Sequence, residues 1–429
     1  MLDAKTLFNE LKFHKETNIQ LELIKKINYK EPVLVCVSKT GTGKTHAYLI
    51  PLFCSLVNEN NTFMILLPTN ELVMQVTKMI KELISIVEKL NYNRHIDCLS
   101  IVSGIDYNDL KLKILKTNYD IIVATPAKIR YLMDQNIKIR RFDRVVIDEA
   151  DMMFEVEFME MIISALDYVK PIKTLLVSAT ITKNMNSFIG RTFGSYRIID
   201  VTKEDNLDIE YRLYPVPKHQ REEKLLFLTK LLSPLLCLLF VSKTSNAEKI
   251  YSYLKDHEIN VCYYSAKLSI NGRKNLFAEI KRGKYQYIVT SDIMSRGIDF
   301  DVSDVINYDF PNKSEYLLHR FGRTGRMNKK GIVHIICAND SSEQVQINRL
   351  KNANIPLVEY KLEENVISKV VRKKTANQEL INEIKKIPKP NKVTPNYKKK
   401  NKAQIKKIKQ DLIKKKAKAE FKTQRKQNL

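Results

Sequence analysis

Short apolar runs recur along the chain, each closing on a polar cluster and giving way to helix-like sequence: Val33 to Val37, Phe63 to Leu67, Ile121 to Ala124, Val145 to Ile147 and Thr174 to Val177. Runs this short and this uniformly apolar, alternating with helical stretches, predict parallel strands buried on both faces. Open sheets of this kind take ligands beyond the carboxyl ends of their strands. Those ends read Ser38-Lys39-Thr40-Gly41, Pro68-Thr69, Thr125-Pro126, Asp148-Glu149 and Ser178-Ala179-Thr180, so the polar clusters should share one rim. After a polar passage from Thr202 to Asp208 the rhythm restarts with Leu238 to Val241, Asn260 to Tyr263, Tyr287 to Val289, Val305 to Ile306 and Ile332 to Ile336. From Asn365 it stops. The pattern predicts one α/β domain over 1–205, a second over 206–364, and a tail over 365–429.

Composition sharpens this division. With 429 residues, 44% of them apolar, the chain can bury two sizeable cores. Its formal charge of +25 favours a polyanionic partner, nucleic acid or an anionic membrane surface. Most of the excess sits in the tail, where 22 Lys and Arg face 4 acids, a net of +18. There Gln378 to Ile384 and Ile405 to Ile413 have apolar residues at helical spacing, separated by Pro388, Pro390 and Pro395. The tail is read as disordered until bound, or as short basic amphipathic helices. Membrane insertion is not expected: the most apolar run, Leu235 to Val241, is far shorter than the roughly 20 residues a spanning helix needs, and is read as a buried strand. No apolar segment follows a basic start, so no signal peptide is expected. The six cysteines are scattered without a Cys-x-x-Cys pair, which argues against a disulfide or metal framework and suits a reducing cytoplasm.

Two clusters carry candidate chemistry. Ser38-Lys39-Thr40-Gly41-Thr42-Gly43-Lys44-Thr45 stands where a buried strand becomes a helix, the context of a P-loop. There glycine lets backbone N–H groups approach phosphate oxygens, Lys44 reaches the terminal phosphates, and the Thr45 hydroxyl can hold Mg2+. Ser38 takes the place of the first glycine of the strict pattern. Asp148-Glu149-Ala150-Asp151 closes another strand, where Asp148 would hold Mg2+ and Glu149 would polarise the attacking water.

With these motifs the sequence resembles the DEAD-box helicases from about Phe13 to Ala338. The tetrad at Asp148 is the family's name motif. Ser178-Ala179-Thr180 matches the motif that links hydrolysis to domain closure, and Asp292 to Asp299 the motif shared by nucleotide and RNA. His319-Arg320-Phe321-Gly322-Arg323-Thr324-Gly325-Arg326 matches the arginine-finger motif. Phe13 to Gln20 looks like the Q motif, with Glu16 and Asn18 in place of the usual prolines. The resemblance implies two RecA-like domains and an ATP-dependent RNA helicase using ATP and Mg2+. It gives catalysis to Lys44, Asp148, Glu149, Arg323 and Arg326, and nucleotide contacts to Phe13, Gln20, the P-loop and Asp299. Coupling falls to Ser178, Thr180, Asp151 and His319. RNA-backbone contacts fall to Pro68, Thr69, Asn70, Gly104, Thr125, Pro126, Lys128, Ser291 and Arg296.

The RNA-facing motifs depart from the family pattern more than the ATP motifs do. Asn70 stands where arginine is usual, Ser103 where glycine is usual, Ala127-Lys128 for Gly-Arg, Ser265-Ala266 for His-Gly, and Ser291 for threonine. Loss of arginine removes a planar phosphate donor, so the core's grip on RNA is expected to be reduced and the Lys-rich tail to supply part of it. Duplex unwinding or ribonucleoprotein remodelling, in ribosome biogenesis or RNA turnover, is the function implied, with a ribosomal or RNA-decay partner for the tail. An ATP-gated RNA clamp is the alternative, and a DNA translocase of the same superfamily a weaker one.

Overall fold

The computed structural model describes residues 1–370 except 14, 93, 155, 182, 205, 206, 266, 292–299, 301, 312, 313, 327, 328, 339 and 365, and beyond them 406, 407, 410 and 411. Arg296, Asp299, Ala266, the 205/206 boundary and most of the tail, including Gln378 to Ile384, therefore lie outside the described residues. Met1–Ser368 forms one compact body. In the tail, Lys406, Lys407, Gln410 and Asp411 are helical and exposed, within the stretch whose spacing predicts a helix.

The first sheet contains β1 (Val33–Val37), β2 (Phe63–Leu66), β3 (Cys98–Ile101), β4 (Ile121–Ala124), β5 (Arg144–Asp148), β6 (Lys173–Ser178) and β7 (Tyr196–Asp200), in the order β3-β4-β2-β5-β6-β1-β7. Its pairings are parallel, for example Val33 opposite Thr174 and Phe63 opposite Ile121. The runs read as uniformly apolar feed two cores by alternation: Leu34 and Cys36 enter one face, Val33, Val35 and Val37 the other. Burial of both faces removes the polar alternation a half-exposed strand would show.

The second sheet contains β8 (Ile209–Val216), β9 (Cys237–Phe240), β10 (Val261–Tyr264), β11 (Tyr287–Thr290), β12 (Asp304–Asn307), β13 (Gly331–Ala338), β14 (Leu357–Glu363) and β15 (Val366–Lys369), in the order β10-β11-β9-β12-β13-β8-β14-β15. It too separates two cores, Leu238 and Phe240 facing one, Cys237 and Leu239 the other. The strand expected from Leu235 begins only at Cys237. Leu235, next to Pro234, is 90% exposed; the pairing begins after it, the Leu236 carbonyl accepting the Ser303 N–H and the Cys237 N–H donating to the Gln286 carbonyl. The second sheet continues through β15, past the expected start of the tail. No helix of the described residues is long and apolar enough to cross a membrane.

Strand order divides each rim into two halves. In the first lobe, β5, β6 and β1 carry the tetrad, Ser178 to Thr180 and the P-loop, while β3, β4 and β2 carry Gly104, Thr125 and Pro68. In the second, β10, β11 and β9 deliver Ser265, Ser291 and Ser242, and the helix Ser314–Phe321 follows β12.

Candidate ATPase site between two lobes

β1 delivers the P-loop. Gly41 and Gly43 adopt φ of +84° and +81°, left-handed backbone that glycine takes without a Cβ clash, and the turn starts helix Lys44–Glu59 beneath the loop. Lys44 is buried, its Nζ donating to the Ser38 and Lys39 carbonyls at 3.3 and 3.4 Å. Ser38 has a structural role in place of the first glycine. Its Oγ meets Thr42 Oγ1 at 2.5 Å in the interior, and its N–H donates to the Ser178 carbonyl at 3.2 Å, tying the loop to the end of β6.

β5 delivers the carboxylates. Asp148 Oδ2 accepts from Tyr48 OH at 2.9 Å and from Thr45 Oγ1 at 3.4 Å. Burial, reinforced by the Glu149 charge, pushes the Asp148 carboxyl above the usual carboxylate range. Glu149 is half-buried; the loss of solvent around its carboxylate raises its value, but Lys44 and His319 outweigh that and hold it below its ordinary value. Its φ of +53° is unusual for a residue with a side chain, and its Oε2 is buried without a hydrogen-bond partner. Backbone strain and an unsatisfied oxygen in one cleft residue point to function.

Asp151 joins the lobes. Its Oδ2 accepts from Thr180 Oγ1 at 2.9 Å and lies 3.4 Å from His319 Nε2, and its N–H donates to Ser178 Oγ at 3.2 Å. Burial raises the Asp151 carboxyl, but the His319 contact outweighs it and holds the group low. His319 Nδ1 is 4.0 Å from Glu149 Oε2, so one imidazole of the second lobe touches two carboxylates of the first. Next to it, the fully buried Arg320 donates to the Asp309 carbonyl at 2.8 Å and to Ser242 Oγ at 2.9 Å, with its guanidinium over the Phe240 ring.

Gly322 packs directly against the P-loop of the first lobe: a Cβ there would lie 1.6 Å from Thr40 Oγ1 and 2.3 Å from Thr40 Cβ. Arg323 Nε donates to the His319 carbonyl at 3.2 Å and Arg326 Nε to the Gly322 carbonyl at 3.0 Å. Both arginines line a cavity of about 390 Å³ together with Thr40, Gly41, Gly43, Lys44, Thr45, Asp148, Glu149 and His319. A second cross-lobe contact, the ion pair of Glu71 with Arg273, is partly buried.

Other expected residues stand back from this cavity. Lys39 lines a separate interlobe cavity with Thr180 and Leu207. Gln20 is 2% exposed; its Oε1 accepts the Thr17 N–H at 2.8 Å, and its Nε2 reaches the Gly43 carbonyl at 3.5 Å. It caps its own helix and braces the P-loop. Phe13 packs edge-on against His46, with ring centroids 5.0 Å apart, and His46 lines the cavity in its place. His46 and Lys329, which line the cavity, and Tyr48, which bonds Asp148, were not expected, because each stands just outside a motif.

The donor set suits Mg2+. Thr45 and Asp148 present hard oxygens 3.4 Å apart at a helix N-terminus, and a divalent cation would favour the charged form of Asp148 that burial opposes.

On the other half of the first rim, Thr69 caps helix Asn70–Lys89 by accepting the Leu72 N–H at 3.3 Å, and Thr125 with Pro126 opens helix Pro126–Asp134. Gly104 takes φ of +88°. Lys128 is half-buried, whereas Ser291 is buried at 5% exposure.

The comparisons agree with this geometry. The DEAD/DEAH box helicase family matches residues 17–188 and the helicase conserved C-terminal domain residues 223–328. The DEAD-box ATP-dependent RNA helicase CshB of Bacillus subtilis is 30% identical over 422 residues, covering 94% of this chain and 93% of that protein. CshB of Staphylococcus aureus is 30% identical over 349 residues, 79% of this chain and 75% of its own. Among solved structures, Mss116p bound to ssRNA and AMP-PNP superposes with a TM-score of 0.73 at 27% identity, covering 84% of this chain and 78% of that one. Two RecA-like lobes that close a P-loop, an Asp-Glu-Ala-Asp strand end and an arginine-bearing turn around one cavity therefore have their explanation in descent: this chain belongs to the DEAD-box ATP-dependent RNA helicases.

Proposed function

We propose that this helicase binds single-stranded RNA by its backbone across the β3-β4-β2 half of the first rim and the facing half of the second, and hydrolyses ATP in the cavity between the lobes. The convergence of Lys44, Asp148 and Glu149 from one lobe with His319, Arg323 and Arg326 from the other supports this reading. Lys44, Arg323 and Arg326 would neutralise the phosphates, and Glu149, whose Oε2 is unsatisfied, would orient the attacking water. Thr45 and Asp148 would hold Mg2+, which supplies charge neutralisation at the phosphates. Asp151, Thr180 and His319 would carry closure between the lobes. Gln20 and Phe13 would support the nucleotide from behind the P-loop, and Arg296 and Asp299 would complete the two sites.

Closure on RNA bends one strand and separates a few base pairs, each step of which holds about 1.4 kcal/mol of stacking; hydrolysis then reopens the cleft. We assign the protein to cytoplasmic RNA remodelling in ribosome biogenesis or RNA turnover, with the tail adding sequence-independent phosphate neutralisation. The test is Glu149→Gln: multiple turnover should be abolished while ATP-dependent retention of RNA persists, and unimpaired turnover would remove Glu149 from its role. RNA-stimulated ATPase without separation of short duplexes would favour a clamp over a helicase.

A further inference from the structure

Two departures from the family pattern touch each other. Asn70 opens helix Asn70–Lys89 after β2, and Ser103 lies in the loop after β3. The Asn70 Nδ2 donates to Ser103 Oγ at 3.1 Å, and the Asn70 Oδ1 accepts the Ser103 N–H at 3.1 Å. β4 separates β2 from β3, so those strands run two spacings, roughly 10 Å, apart, and the loops after them converge to make these direct bonds. The bridge therefore spans the rim position where Thr125 and Pro126 leave β4. Neither side chain is occupied in capping, since Thr69 caps the Asn70 helix and Asp106 the next. Gly104, at φ +88°, turns the chain immediately after Ser103.

We propose that the Asn70–Ser103 strap is a positioning device for RNA, resting on the reading of this rim as the RNA-binding half. It fixes the loops after β2 and β3 around the β4 loop, so that an incoming strand meets helix-start N–H donors already in place. Arginine at 70 would add affinity through charge, and hence through counterion release. Asparagine adds affinity by removing the cost of ordering two loops, which carries no salt dependence. The two departures are thus one substitution in two parts: the amide at 70 has its partner only because residue 103 carries a hydroxyl and a correctly placed N–H.

The experiment measures binding of labelled decauridylate by fluorescence anisotropy, with the full chain and a non-hydrolysable ATP analogue, from about 50 to 200 mM salt. Asn70→Ala and Ser103→Gly should each weaken binding roughly three- to tenfold, with the salt slope unchanged and the double variant little worse than Asn70→Ala alone. Ser103→Thr, which keeps both partners, should retain affinity. Asn70→Arg should steepen the slope of log K against log salt by about 0.7, the value of one single-strand phosphate contact. Unchanged affinity in Asn70→Ala and Ser103→Gly, or fully additive losses, overturns the strap while a steeper slope in Asn70→Arg leaves the RNA reading standing. If Asn70→Arg changes neither affinity nor slope, the RNA reading of the rim itself is wrong.

Discussion

Gly322→Ala tests whether the lobes meet at the P-loop as described. The new Cβ would lie 1.6 Å from Thr40 Oγ1 and 2.3 Å from Thr40 Cβ, whereas side-chain carbons essentially never approach other heavy atoms within 3.0 Å. A rotamer change relieves the first clash but not the second, because Thr40 Cβ is fixed to the backbone. The lobes must therefore part by most of an ångström at the point where Arg323 and Arg326 enter the cavity. Misplacing catalytic groups by on the order of 1 Å costs about a hundredfold in rate, or about 2.7 kcal/mol, so RNA-stimulated kcat should fall by about that factor. Folding should be spared: Gly322 follows a helix without a positive φ, and melting should shift by no more than a surface substitution allows, about 0.5 kcal/mol. Thr40→Gly, which removes the Cβ, should restore part of the rate in the Gly322→Ala background, and Thr40→Ala should not. Rescue by Thr40→Ala, or a Gly322→Ala enzyme of full activity, would refute the contact.

Further consequences concern other contacts. Gln20→Ala should weaken ATP binding; an equal loss for GTP would assign the amide to the brace on Gly43, a loss confined to ATP would assign it to the adenine edge, and unchanged ATP affinity would remove both roles. Arg273→Ala should raise the RNA concentration that half-saturates the ATPase by roughly fivefold, the worth of a partly buried ion pair near 1 kcal/mol, and the double reversal Glu71→Arg with Arg273→Glu should recover most of it; no recovery would mean the pair does not bridge the lobes. His334 in β13 is buried between Tyr214, whose OH lies 3.0 Å from Nδ1, and Asp304, 3.0 Å from Nε2. Burial lowers its pKa below 6.5, so the unfolded chain binds the proton more readily and stability should fall as pH drops below about 6.5. His334→Gln should flatten that part of a stability–pH profile measured by urea unfolding; an unchanged profile would place the dependence elsewhere.

What the sequence could and could not convey follows from burial. Strands with both faces covered were legible as unbroken apolar runs, and β1 and β4 appear with the expected bounds. β3 and β7 were not, because they are edge strands: β3 alternates half-buried and buried residues with Ser100 in its middle, and Arg197 and Asp200 lie exposed in β7. β8 was not among the expected strands, because Glu210 and Arg212, which pair with each other on it, interrupt its apolar run. The P-loop and tetrad were legible because their chemistry is local. The Glu71–Arg273 pair and the Asn70–Ser103 strap were not, since their partners are brought together only by the closure of two lobes and by a strand order no linear pattern encodes. Gln20 and Ser38 were identified but their surroundings were not: both turn inward to hold the loop.

Neighbours on a helix project about 100° apart, and His319 and Arg320 use that angle to face different territories. The imidazole meets Asp151 and Glu149 of the first lobe, and the guanidinium is wedged against Ser242 and Asp309 of its own. With Arg320 packed on all sides, the helix has no slack to absorb a displacement at His319. A displacement of the imidazole would therefore be passed to the β9 loop through Ser242, whose Oγ accepts from Arg320 at 2.9 Å.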